Sequence, residues 1–135
     1  RSARAAGIVL AETTLYSTLE PCSFHARTPA CARAVVDAGV RRVVVGILDP
    51  HPRVDGVGLA MLRAAGVEVL AGVCATEVTH QLAEWIFERH PHEPLRRAKA
   101  WLEQPGGSLD EVTARLVTHY GISIAQAEKL ARNLT

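Results

Sequence analysis

Hydrophobic positions in the first part of the chain alternate between short β-branched runs and helical patterns. Residues 13–18 are rich in β-branched and aromatic side chains, and residues 41–48 are almost continuously apolar, which is typical of a strand buried on both faces. Residues 67–71 predict a third strand. Small apolar residues at helical spacing predict helices over 30–38 and 59–65, each followed by a glycine. Strands that alternate with helices predict an α/β domain with parallel neighbouring strands.

The remainder of the chain has only helical patterns. Residues 76–89 predict a longer helix, and Pro91 and Pro94 then predict a linker. Residues 95–103 are helical in pattern, and Pro105-Gly106-Gly107 interrupts them. Ser108 with Glu111, and Ser123 with Gln126, have the spacing of capping boxes that open two final helices. We therefore predict a first domain over 1–90, a linker and helix over 91–107, and a helical hairpin over 108–135.

Composition narrows the classes of function. Hydrophobic residues make up 48% of the 135 residues, and 15 basic side chains nearly balance 14 acidic ones. Because a nucleic-acid surface usually has a basic excess, we expect no nucleic-acid partner. We expect no membrane association either, because no apolar run reaches the roughly 18–20 residues of a membrane span. Without a signal peptide, the expected compartment is the cytoplasm.

Two of the three cysteines stand where thiol chemistry is favoured. Cys22 follows a predicted strand end, and Cys31 lies in the first turn of the next predicted helix, where the helix dipole favours a thiolate. Two converging thiolates would form half of a soft site for Zn²⁺. The alternative is that both are small buried apolar residues. Cys74 has no partner at ligand spacing, and we interpret it as a buried structural thiol.

The sequence around the two cysteines is distinctive. Residues 14–31 read TLYSTLEPCSFHARTPAC, which resembles the deaminase domain of the bifunctional riboflavin-biosynthesis pyrimidine deaminase/reductase family, approximately TLYVTLEPCSHHGRTPPC. The resemblance continues through 38–45, 49–58 and 62–69 and fades near Glu88. Transfer-RNA adenosine deaminases and many cytosine deaminases have Pro-Cys-x-x-Cys instead, whereas eight residues separate Cys22 from Cys31 here.

This resemblance implies a cytidine-deaminase-like, three-layer α/β/α fold with a mixed, mainly parallel sheet, followed by a small all-α C-terminal appendage. It implies that Cys22 and Cys31 are two zinc ligands, beside a His, and that the zinc activates water while a Glu two residues after the His moves protons. The family's His-Ala-Glu precedes a segment similar to residues 3–7. We therefore expect the third ligand, the catalytic Glu and the first strand to lie upstream of Arg1, and this exact chain to have little or no activity.

Three residues are candidates for substrate binding. Arg27, between the two cysteines, is suited to a phosphate, and the family's substrate carries a ribose phosphate; a solvated loop arginine is the alternative. Asp49 falls at a strand end, where open α/β sheets place ligands. The family has Asp-Pro-Asn-Pro there, so Asp49 matches and His51 replaces the Asn. Phe24 and Ala26 are further departures, which put the exact substrate in question.

The resemblance implies a zinc-dependent hydrolytic deaminase that acts on a diaminohydroxy-phosphoribosylaminopyrimidine, a small phosphorylated pyrimidine. Two alternatives stay open: a diverged deaminase of another amino-pyrimidine or purine, and a non-catalytic protein that retains the fold. For the helical tail we favour a packing or interaction module over a DNA-binding one. A sheet without its first strand would expose an edge, which favours association into a homo-oligomer.

Overall fold

A computed structural model of the chain describes residues 2–25 and 27–135. The structure has two compact units, one ending at Ala75 and the other running from Thr76 to Thr135. In chain order the first unit contains α1 (Ser2–Ala5), a 3₁₀ turn (Leu10–Glu12), β1 (Thr14–Leu19), α2 (Cys31–Asp37), β2 (Arg42–Ile47), α3 (Val57–Ala64) and β3 (Glu68–Ala71). The helices that follow are α4 (Ala75–Arg89), α5 (His92–Leu102), α6 (Leu109–Tyr120) and α7 (Ile124–Arg132).

The described strands form one parallel sheet in the order β1-β2-β3. Tyr16 pairs with Val44, and Val44 pairs with Leu70, so these three residues form one row across the sheet. The predicted α/β class and the three predicted strands are therefore confirmed, with strand ends within two residues of those expected.

One face of this sheet carries the core of the first unit. Val43 and Val45 on β2 are almost completely buried, and they cluster with Leu59 and Leu62 of α3 and with Ala32 of α2. On the other face, the row formed by Tyr16, Val44 and Leu70 has exposed side chains at both ends, Tyr16 and Leu70. The alternation along β2 thus decides which face packs against the helices.

The second unit corrects the predicted linker. Pro91 is the N-cap of α5, and Pro94 lies buried in the first turn of that helix. A proline is tolerated there because the first N–H groups of a helix have no intrahelical acceptor. A short connection through His90 and Pro91 therefore stands where we expected a longer linker, and α5 begins three residues earlier than predicted.

Ser108 and Ser123 are the N-caps of the last two helices, as predicted, but the capping box predicted at Ser108 is only half formed, because the Glu111 carboxylate binds Arg115 instead. The Ser108 hydroxyl accepts a hydrogen bond from the Glu111 N–H, and Ser123 with Gln126 forms a complete capping box. The core of this unit includes Val112, Leu116, Tyr120 and Ala127. The Glu93 carboxylate binds the Arg97 guanidinium at 2.7 Å and accepts a hydrogen bond from the Tyr120 hydroxyl.

The division into a domain over 1–90 and a tail stays a prediction, because a compact unit describes packing in this chain and not the extent of a family domain. In this structure the packing boundary lies between Ala75 and Thr76. Across residues 2–25 and 27–135, no helix has both the length and the apolar character that a membrane crossing requires.

Candidate active site

The two cysteines lie beside each other at the carboxyl end of β1. The chain leaves the strand at Leu19, and Cys22 follows two residues after the buried Glu20. Cys31 is the first residue of α2, and its backbone N–H donates a hydrogen bond to Cys22 Sγ at 3.2 Å. The N–H of Ala32 donates to the carbonyl oxygen of Cys22 at 3.1 Å. The first turn of α2 thus holds the backbone and the sulfur of Cys22.

An open cleft of about 370 Å³ contains both cysteines. Its walls come from β1 and the residues that follow it, from α2 and from the segment after β2. The lining residues are Leu15, Tyr16, Ser17, Leu19, Glu20, Pro21, Cys22, Cys31, Val35 and Asp49. The structure therefore brings three of the predicted site residues, the two cysteines and Asp49, to one cleft at the carboxyl end of the sheet, which is where α/β folds bind ligands.

The thiol of Cys31 titrates differently from the sequence-based expectation. Its neighbour Cys22, through a side-chain hydrogen bond, raises the pKa of Cys31, and partial burial and repulsion from Cys22 raise it further. The helix start predicts a stabilised thiolate, whereas the contacts of Cys31 in the fold have the net effect of raising its pKa. A bound cation would reverse this balance, because metal coordination deprotonates a thiol.

His51 belongs to the loop that carries Asp49. The His51 N–H donates to Asp49 Oδ1 at 2.8 Å, and His51 Nδ1 accepts from the Arg53 N–H at 3.1 Å. The Phe24 ring lies 5.3 Å from the His51 ring, and the Arg53 guanidinium lies 4.6 Å from the centre of the Phe24 ring. Two of the residues that depart from the family pattern, Phe24 and His51, are therefore in contact.

Arg27 is exposed in the loop between the two cysteines. Arg27 is not among the described residues that line the cleft. Its role as a phosphate ligand stays a prediction, and Ala26 lies outside the described residues.

Glu20 is a site residue that the sequence analysis did not assign. Its side chain is buried, and its carboxylate accepts three backbone hydrogen bonds from Asp49, Gly56 and Leu59. The available signal was its place beside Pro21 and Cys22 at a strand end. A sequence does not reveal which amides a carboxylate meets in the fold.

The cysteine pair supplies two soft donors, which suits one half of a zinc site. Within residues 2–25 and 27–135, no group of three or more His, Cys, Asp and Glu side chains is placed to hold a metal ion. The described residues therefore fit zinc by supplying two thiolate ligands, Cys22 and Cys31, of a larger ligand set.

No family model matches the chain. Among curated proteins, it is 41% identical over 103 residues to riboflavin biosynthesis protein RibD of Aquifex aeolicus, covering 74% of the chain and 28% of that protein. It is 41% identical over 112 residues to RibD of Escherichia coli, covering 82% of the chain and 29% of that protein. These comparisons place the chain among homologues of RibD proteins, and its structural neighbours are RibD deaminase domains.

A solved structure agrees with this placement. The chain matches a Thermotoga maritima diaminohydroxyphosphoribosylaminopyrimidine deaminase/5-amino-6-(5-phosphoribosylamino)uracil reductase with a TM-score of 0.60 and 40% identity, over 64% of this chain and 24% of that one. The predicted fold class is therefore confirmed. The chain spans less than a third of the length of these RibD relatives.

Proposed function

We propose that this protein is a zinc-dependent hydrolytic deaminase of the riboflavin pathway, acting on a diaminohydroxy-phosphoribosylaminopyrimidine. The observation that carries the proposal is the pairing of Cys22 and Cys31, with a 3.2 Å hydrogen bond from the Cys31 N–H to Cys22 Sγ, in a cleft that also contains Asp49. Similarity to RibD proteins supports the reaction class.

In this proposal the chain's own residues hold the metal and orient the substrate. Cys22 and Cys31 would bind zinc, which supplies an activated water for attack on the amino-bearing ring carbon. The Asp49 carboxylate lines the cleft, and its Oδ1 already accepts the His51 N–H, so the loop holds this carboxylate in one orientation. The Arg27 guanidinium would bind the substrate's phosphate through two parallel N–H···O hydrogen bonds. The proposal includes a cytoplasmic location and no nucleic-acid partner.

Zinc content tests the cysteine assignment directly. Protein expressed from its complete natural coding sequence should carry about one zinc per chain, and Cys22→Ser or Cys31→Ser should abolish it. Cys74, predicted to be buried, is exposed in the structure and lies outside the cleft lining as described, so Cys74→Ser is the matched control. Unchanged zinc in both cleft variants, measured by metal analysis of folded protein, would refute the assignment.

A second candidate is a diverged deaminase of another amino-pyrimidine or purine. The observation that favours it is the contact between Phe24 and His51, because both replace family residues and they pack together beside Asp49. Ammonia release from the phosphoribosylated pyrimidine and from other amino-pyrimidines and aminopurines distinguishes the two. If His51→Asn raises kcat/KM for the riboflavin-pathway substrate, His51 is adapted to a different substrate and the second candidate is supported. If the substitution lowers kcat/KM, the riboflavin-pathway deaminase is supported.

A further inference from the structure

We propose that Glu20 is a positioning residue, which fixes the Cys22 segment and the Asp49 loop against the first turn of α3. The structural part of this inference stands on hydrogen bonds within the first unit. Its consequence for metal binding rests on the proposed function.

The Glu20 carboxylate is held by backbone amides alone among its described hydrogen bonds. Its Oε2 accepts from the Asp49 N–H at 3.2 Å and the Gly56 N–H at 2.8 Å, and its Oε1 accepts from the Leu59 N–H at 3.0 Å. The residue is 3% exposed, so in the fold its carboxylate depends on these amides and not on bulk water for its hydrogen bonds. A buried charge without such partners is strongly unfavourable, and therefore the carboxylate selects this arrangement of amides.

The three amides come from separate parts of the chain. Asp49 follows β2 and begins the loop, Gly56 ends that loop, and Leu59 lies in the first turn of α3. Glu20 itself continues β1, because its N–H donates to the Ile47 carbonyl at 3.0 Å. One side chain therefore joins the ends of two strands to the start of a helix, where the helix dipole also favours a negative charge.

Gly58 provides an independent contact between the same segments. A Cβ at this position would overlap the Pro21 carbonyl oxygen and lie 3.2 Å from Glu20 Cγ. The backbone of Pro21 thus lies directly on the first turn of α3. Cys22 is the next residue, and its place beside Cys31 follows from the way Glu20 and Pro21 are seated.

The hydrogen-bond pattern requires a carboxylate. Because both oxygens accept backbone N–H groups, an amide at this position would point its NH₂ group at one or two donors. Glu20→Gln therefore changes the acceptor set at nearly constant volume. Glu20→Asp keeps both acceptors on a side chain shorter by one methylene. Glu68→Gln, at an exposed glutamate of β3, is the matched control.

The experiment compares these variants in protein expressed from its complete natural coding sequence, loaded with Co²⁺ as a spectroscopic probe. We expect Glu20→Gln to weaken Co²⁺ affinity by about 10- to 100-fold and to alter the thiolate-to-cobalt absorption, as changes beside metal ligands do. Glu20→Asp should lose less, and Glu68→Gln should match the wild type. Amide hydrogen exchange at Asp49, Gly56 and Leu59 should accelerate in both Glu20 variants, as measured in the metal-free protein.

The outcomes separate this inference from the proposed function. If the wild type and Cys22→Ser bind Co²⁺ equally, the zinc assignment fails, whereas exchange at the three amides still tests the anchoring by Glu20. If the wild type binds through Cys22 and folded Glu20→Gln has the same affinity and spectrum, the positioning role is overturned. If Glu20→Gln does not fold, Glu20→Asp decides: wild-type affinity and wild-type exchange rates would contradict the inference.

Discussion

A single added methyl group at Gly58 tests how closely the cysteine segment lies on α3. In the Gly58→Ala protein, the new Cβ would overlap the Pro21 carbonyl oxygen and lie 3.1 Å from the Pro21 carbonyl carbon. The nearest atoms are backbone, so no side-chain rotation relieves the overlap. Overpacking of this kind typically destabilises by about 1–3 kcal/mol.

If the Pro21 backbone does not lie close to α3, Gly58→Ala should not lower the free energy of unfolding. Gly58 is the second residue of α3, and alanine is a better helix former than glycine by up to about 1 kcal/mol. An open site would therefore make Gly58→Ala neutral or stabilising. Our account predicts a net loss, because the overlap exceeds the gain in helix propensity.

Urea unfolding of the wild type and the variant measures the difference in free energy of unfolding. Ala64→Gly, at an exposed position near the end of α3, calibrates what this helix gains from alanine over glycine. We expect a lower midpoint for Gly58→Ala with an unchanged slope. A midpoint equal to or above that of the wild type would refute the close contact between Pro21 and α3.

Three further perturbations test other parts of the structure by unfolding experiments. Leu62→Ala should lower the free energy of unfolding by about 2–5 kcal/mol, because Leu62 is fully buried; an effect below that of exposed Leu70→Ala would contradict the assigned core. Ser123→Ala should cost about 1 kcal/mol through loss of the capping box, whereas Ser123→Gly should cost only a few tenths; equal stability of the alanine variant and the wild type would argue against the cap. Burial, with the Arg97 charge, lowers the pKa of His119, so its contribution to stability is present above about pH 6.5 and is lost as the pH falls through the lowered pKa. His119→Phe should therefore reduce the loss of stability between pH 8 and pH 5, and an unchanged pH dependence would count against this assignment.

Most of the first unit could be predicted because its local signals agree. The apolar run around Val43 and Val45 identified a buried strand, and the helical spacing after Pro29 placed Cys31 at a helix start. Both predictions rest on periodicities of only a few residues, which short segments already contain. The convergence of Cys22 and Cys31 followed from the order of strand end and helix start.

What the sequence did not predict depends on contacts between distant segments. The sequence pattern predicts a linker at Pro94, whereas in the structure this proline lies buried in the first turn of α5, where a helix tolerates it. The hydrogen bonds to Glu20 span 29 to 39 residues along the chain, so no local pattern specifies them. The packing of Phe24 on His51 likewise joins two loops. Contacts of this kind become visible only when the distant segments are seen together in the folded chain.

The release of ammonia from a diaminohydroxy-phosphoribosylaminopyrimidine tests the central claim most directly. The assay uses zinc-loaded protein expressed from the complete natural coding sequence, with ammonia measured against substrate consumed. We predict one ammonia per substrate for the wild type and for Cys74→Ser, and loss of turnover in Cys22→Ser. Absence of ammonia release from the zinc-loaded wild type, or equal release by Cys22→Ser, would contradict the proposed deaminase site.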